Sequence, residues 1–100
     1  MIKAFNQAVV LHPNSFDYYI RLGAAYNDQA SPDWKAALSH WQKPNPSFKE
    51  SYQIEIIHLH TARVLGKLGR YEEARKSAES VNHKALQKSK QEVLDELVQF

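Results

Sequence analysis

Tyr19-x-x-Leu22-Gly23-x-x-Tyr26 decides how this chain folds. Its four residues stand at i, i+3, i+4 and i+7, which puts them on one face of a helix. Eight residues after Tyr26 begins a second stretch with the same geometry. Trp34, Ala37, Leu38 and Trp41 again share one helical face. Each stretch carries small residues (Gly23, Ala37) beside large ones (Tyr19, Tyr26, Trp41). Small residues let two helix axes approach closely, and large ones fill the grooves alongside.

Breaks on either side define the elements. His12-Pro13-Asn14 ends a first helical segment that carries Ile2, Phe5, Ala8, Val9 and Leu11. Proline disfavours helix for the residue before it, and Asn14 or Ser15 can cap the helix that follows. Ser31-Pro32-Asp33 predicts the next start, with Ser31 as cap, Pro32 at the first helical position and Asp33 near the positive end of the dipole. Lys43-Pro44-Asn45-Pro46 is the firmest break. Ser47-x-x-Glu50 after it reads as a capping box. It opens a long helix to about Leu68, with Phe48 and Tyr52 as its first apolar residues. Gly69 closes that helix. A fifth runs from Tyr71 to about Val81, and a sixth follows Asn82 with Leu86, Val93, Leu94, Leu97 and Val98 as its stripe. Sustained period-two alternation is absent. The sequence therefore predicts an all-α fold of about six helices.

Taken in order, these residues resemble the tetratricopeptide repeat, a helix–turn–helix unit of about 34 residues. Tyr19, Leu22, Gly23 and Tyr26 match its first helix, and Trp34, Ala37 and Trp41 its second. Residues 1–13 resemble the second half of a unit through Phe5, Ala8 and Pro13. Residues 14–46 are a full unit. Residues 47–82 form a longer, weaker one, carried by Ala62, Leu65 and Gly69-x-Tyr71-x-x-Ala74, and residues 83–100 a C-terminal capping helix. The resemblance thus covers two and a half units, in one domain. It implies antiparallel helix pairs stacked in a right-handed superhelix, since a unit cannot bury its face alone.

The spacing departs from the family. Tyr26 to Leu65 is 39 residues and Ala37 to Ala74 is 37. Pro44 also stands where the family has a small helical residue. An irregular array is expected. The chain opens midway through a unit, so Met1 reads as an added start and the whole as a piece of a longer protein.

The resemblance implies a protein-interaction scaffold that holds a partner peptide or helix in a concave groove. By position that groove takes Asp17, Ile20, Arg21, Ala24, Asn27 and Asp28 from one helix. From the later helix it takes Ile56, Leu59, His60, Arg63 and Lys67. Arg63 and Lys67 are i, i+4 neighbours and would orient an acidic partner. Ile20 and Ala24 replace the lysine and asparagine with which the family grips the terminal carboxylate of heat-shock chaperones, so no such docking is expected. The alternative is a structural spacer or self-association segment of a larger protein.

Other classes find little support. Thirteen Lys and Arg against eleven Asp and Glu leave an excess of +2, too weak for nucleic acid by bulk electrostatics. Residues 63–90 are locally basic but lack interleaved aromatics for base stacking. Glu72 and Glu73 are expected to pair with Lys76 there. Cysteine is absent. No cofactor is expected, and no metal, because the histidines do not converge as zinc ligands must. His58 is expected to be a packed, hydrogen-bonded residue. No nucleophile–base pair or glycine-rich phosphate loop is legible, so no enzyme activity is expected. No apolar run approaches the roughly 18 residues of a membrane span, and no signal peptide is visible. A cytoplasmic monomer or weak homo-oligomer is expected.

Overall fold

A computed structural model describes residues 2–98. Among these residues six α-helices follow one another: α1 (Ile2–Leu11), α2 (Phe16–Asn27), α3 (Trp34–Gln42), α4 (Ser51–Lys67), α5 (Tyr71–Glu79) and α6 (Gln87–Leu97). A short 3₁₀ turn, Lys84–Leu86, precedes α6. The described residues contain no strand, and the chain is all-α. Its contacts fall into two compact units, Met1–Lys49 and Glu50–Phe100.

In the first unit, Ser15 caps α2 by accepting a hydrogen bond from the Tyr18 N–H at 3.3 Å. The cap of α3 differs from expectation. It is Asp33, whose carboxylate accepts from the Ala36 N–H at 3.0 Å. The helix therefore starts at Trp34, two residues after Pro32. An ionised acceptor at the positive helix end outcompetes the Ser31 hydroxyl.

The loop after α3 brings a second correction. Ser47 does not cap α4. Its N–H donates to Asn45 Oδ1 at 2.8 Å, an Asx turn. Asn45 Nδ2 donates to the Pro13 carbonyl at 2.9 Å, and Ser47 Oγ donates to Asn14 Oδ1 at 3.2 Å. These bonds tie the loop to the α1–α2 turn. Phe48 lies in this loop, not in α4. It is buried against Phe16 and Tyr19, with ring centroids 5.1 and 5.3 Å away. The capping box of α4 is instead Glu50 with Gln53, three residues later than the sequence suggested. The Glu50 N–H donates to Gln53 Oε1 at 3.3 Å.

Trp41 is the centre of the first core, 1% exposed, with Tyr19, Leu22, Ala37 and Leu38 buried around it. Trp34, on the same helical face, is only half-buried. No described residue of α1 is fully buried, and Val10 and Leu11 are each 74% exposed.

In the second unit, Ala62, Ala74 and Ala78 are fully buried. Small side chains on both helices let α4 and α5 lie close together. Leu86, Val93 and Leu97 of the 3₁₀ turn and α6 are buried as expected, but Val98 is 72% exposed and leaves the stripe. Glu73 accepts from Arg70 at 2.6 and 2.9 Å rather than from Lys76. This pair holds Glu73 below its usual range.

Gly69 ends α4 with φ +79°. The Arg70 N–H donates to the Leu65 carbonyl at 2.9 Å and the Gly69 N–H to Gly66 at 3.1 Å. This is the Schellman arrangement, and its left-handed residue favours glycine. Gly69→Ala should cost about 1–2 kcal/mol, the penalty of a Cβ in that region, with no clash, since nothing lies within 4 Å of the added atom. Urea unfolding read by helical circular dichroism checks it; an unchanged midpoint would contradict the turn.

Candidate functional site

The helix pair α2–α3 positions the most distinctive side chains. A Cβ placed on Gly23 would lie 1.9 Å from Trp41 Cζ2 and 2.5 Å from Cη2. The indole thus occupies the space that any side chain at Gly23 would need. A second device holds the pair together. The Tyr19 hydroxyl donates to the His40 carbonyl at 2.6 Å. His40 Nε2 lies 2.9 Å from the Tyr19 carbonyl and, because a carbonyl only accepts, must carry the proton. The two rings stack with centroids 4.2 Å apart. Sequence alone leaves His40 as an isolated histidine, because its partner lies 21 residues away.

Burial pushes the His40 pKa below 6.5, partly offset by its bond to the Tyr19 carbonyl, and pushes the Tyr19 phenol up. The fold therefore holds neutral imidazole, while the unfolded chain takes up a proton near pH 6.5. Stability from this group is complete above pH 6.5 and is lost as pH falls through the lower folded value. Urea midpoints should drop between pH 7.5 and 5, with a shallower drop in His40→Gln. An equal slope in the variant would remove His40 from the effect.

Beside the clasp runs a cleft of about 520 Å³. Asn6 and Val9 of α1, Leu22 and Tyr26 of α2, Ser39 and His40 of α3, and Lys43 just after α3 line it, with Pro13 and Asn45 at its end. Asn6 also borders an adjoining depression with Lys3, Gln7, Val10 and Leu11. None of the residues expected on α2 lines this cleft. At 100° per residue, Ile20, Ala24 and Asn27 lie on the face roughly opposite Tyr19, Leu22 and Tyr26. Ile20 and Ala24 are half-buried there. Asp17 and Arg21 are exposed and bonded to each other at 2.8 Å.

In the second unit, Ile56, Leu59, His60 and Arg63 come together in a depression of about 200 Å³ beside Leu86, Ser89 and Val93. Arg63 Nε lies 3.9 Å from Glu96 Oε2. Lys67 is exposed and stands outside the depression. The expected basic pair is thus divided, with Arg63 turned toward α6.

His58 is held by hydrogen bonds. Ser80 Oγ donates to the Ser77 carbonyl at 2.7 Å, which leaves it to accept from His58 Nδ1 at 2.9 Å. Ser77 Oγ donates to the His58 carbonyl at 2.9 Å. Glu55, invisible as a structural residue in the sequence, accepts from the backbone N–H groups of Asn82 and His83 and so ties α4 to the turn after α5. Those bonds lower its pKa. Among the described residues no three His, Asp or Glu side chains are placed to hold a metal ion. No helix among them is long and apolar enough to cross a membrane.

No protein-family model matches the chain, and no curated protein or solved structure matches it.

Proposed function

We propose that this chain is a protein-interaction module of the tetratricopeptide kind, which holds a peptide or helix of a partner protein against residues of α2 and α4. One observation carries the reading. The glycine of the Leu22-Gly23 signature receives the ring of Trp41, so the two parts of the sequence resemblance meet as one packed helix pair. A helix pair fixed in this way presents its remaining faces without rearranging, which lowers the entropy cost of binding. On α2 the contact face is Ile20 and Ala24, flanked by Asp17, Arg21 and Asn27. On α4 it is Ile56, His60 and Arg63, with Lys67 beyond. The apolar residues supply area and the basic ones favour an acidic partner.

Selection of a phage-displayed peptide library on the folded chain tests the reading. The expected result is an enriched peptide class that shifts backbone amide resonances of α2 or α4 and loses affinity in Arg63→Glu/Lys67→Glu. No enrichment, or equal binding to urea-unfolded chain, would end the proposal.

A second reading is self-association, favoured by the exposed Val10 and Leu11 of α1 and Val98 after α6. Sedimentation equilibrium at several concentrations separates the two. A dimer lost in Val10→Lys/Leu11→Lys would support assembly, and a monomer throughout would exclude it.

A further inference from the structure

We infer that the cleft lined by α1, α2 and α3 is itself a docking site, and that its occupant is an extended acidic segment of a partner protein whose carboxylate side chain is met by Lys43. This rests on the interaction-module reading but assigns a different face of α2.

Charge supports it first. Residues 1–49 contain five Lys and Arg against three Asp and Glu, whereas residues 50–100 contain eight of each. The whole excess of the chain therefore resides in the first unit. Two of its three acids are engaged. Asp17 bonds Arg21, and Asp33 caps α3. None of the three lines the cleft or the adjoining depression. Two of the five cations are placed differently. Lys43 lines the cleft, Lys3 lines the depression, and Asn6 borders both. Lys43 has no ion pair among the described residues.

Shape and lining add to the charge. A cleft of about 520 Å³ exceeds what one carboxylate needs and suits a side chain with its flanking backbone. Val9, Pro13 and Leu22 give apolar surface. The Asn6 amide and the Ser39 and Tyr26 hydroxyls provide the donors and acceptors that an extended backbone must find once it leaves water. The titratable groups that face the cleft are His40 from α3, Lys43 just after it, and Tyr19 and Tyr26 from α2, with none from α1. His40 and Tyr19 are already committed to each other, which leaves Lys43 as the cation that meets an incoming carboxylate.

The probe is an end-capped peptide of alternating Leu and Glu, compared with the same peptide carrying Gln for Glu. Capped ends remove terminal charges as a source of binding. Both are titrated into the full chain and followed by amide resonances. The Glu peptide should shift Asn6, Val9, Leu22, Ser39 and Lys43, bind about tenfold more tightly than the Gln peptide, as befits a charge-assisted bond, and weaken with added salt. Lys43→Glu should abolish the preference, whereas Lys88→Glu, at an exposed position of α6 in the other unit, should leave it unchanged. Lys43 is exposed, so an unchanged melting temperature confirms that each variant is folded. Equal binding of both peptides, no binding, or an unaltered preference in Lys43→Glu overturns the proposal. Shifts confined to Ile20 and Ala24 would overturn it too, while leaving the interaction module intact.

Discussion

Replacing Gly23 with alanine should destabilise the first unit by about 3 kcal/mol. Overpacking a close-packed core costs typically about 1–3 kcal/mol and sometimes more, and this site lies at the upper end. The added carbon would sit 1.9 Å from one indole atom and within 2.6 Å of two others. The ring has nowhere to go. It is 1% exposed, with Tyr19 against it edge-on at 5.3 Å and His40 at 4.8 Å. Alanine would gain about 1 kcal/mol over glycine in helix propensity, which does not offset the overlap. Tryptophan fluorescence and helical circular dichroism against urea measure the loss. A stabilised Gly23→Ala would show that the ring does not lie over that helix.

Trp41→Ala should cost about 3–5 kcal/mol, the usual effect of deleting a buried aromatic with partial collapse of the cavity. It empties the centre of a core whose other buried members include Tyr19, Leu22 and Leu38. It also loosens the Tyr19–His40 clasp, because the indole packs against both of its rings. Trp34, half-buried at the start of the same helix, remains as the fluorescent reporter. Trp34→Ala is expected to cost less. Equal costs would mean that burial is shared between the two.

The helices themselves were legible in the sequence because their signals are local. Pro13 and Gly69 stop α1 and α4 where the pattern says they should, and the i, i+3, i+4, i+7 faces of α2 and α3 are buried except at Tyr26 and Trp34, which are half-buried. Starts were harder. Two acceptors lay within reach of each first turn, and the later, carboxylate-bearing residue took the position in both α3 and α4. Phe48 was misplaced for a related reason. Its apolarity suits a helix, but the loop that carries it is held by Asn14, Asn45 and Ser47, whose bonds span more than thirty positions.

The candidate site was less legible. Register alone expects Arg63 and Lys67 to act as one basic pair on α4, but their separation depends on Glu96, which lies on a different helix. The Tyr19–His40 clasp and the Lys43 cleft arise only when α1, α2 and α3 converge, and no local pattern encodes that convergence. A charge tally over the two halves of the chain could have pointed to the first unit.

If α2 and α3 close on each other because Gly23 makes room for Trp41, the effect of Gly23→Ala must depend on the ring. The direct measurement is the urea stability of Gly23→Ala in the natural chain and in a Trp41→Leu background, where a smaller side chain keeps the core apolar. The contact predicts a loss of about 3 kcal/mol in the first and a gain of up to about 1 kcal/mol in the second, where helix propensity alone remains. The same loss in both backgrounds would contradict it.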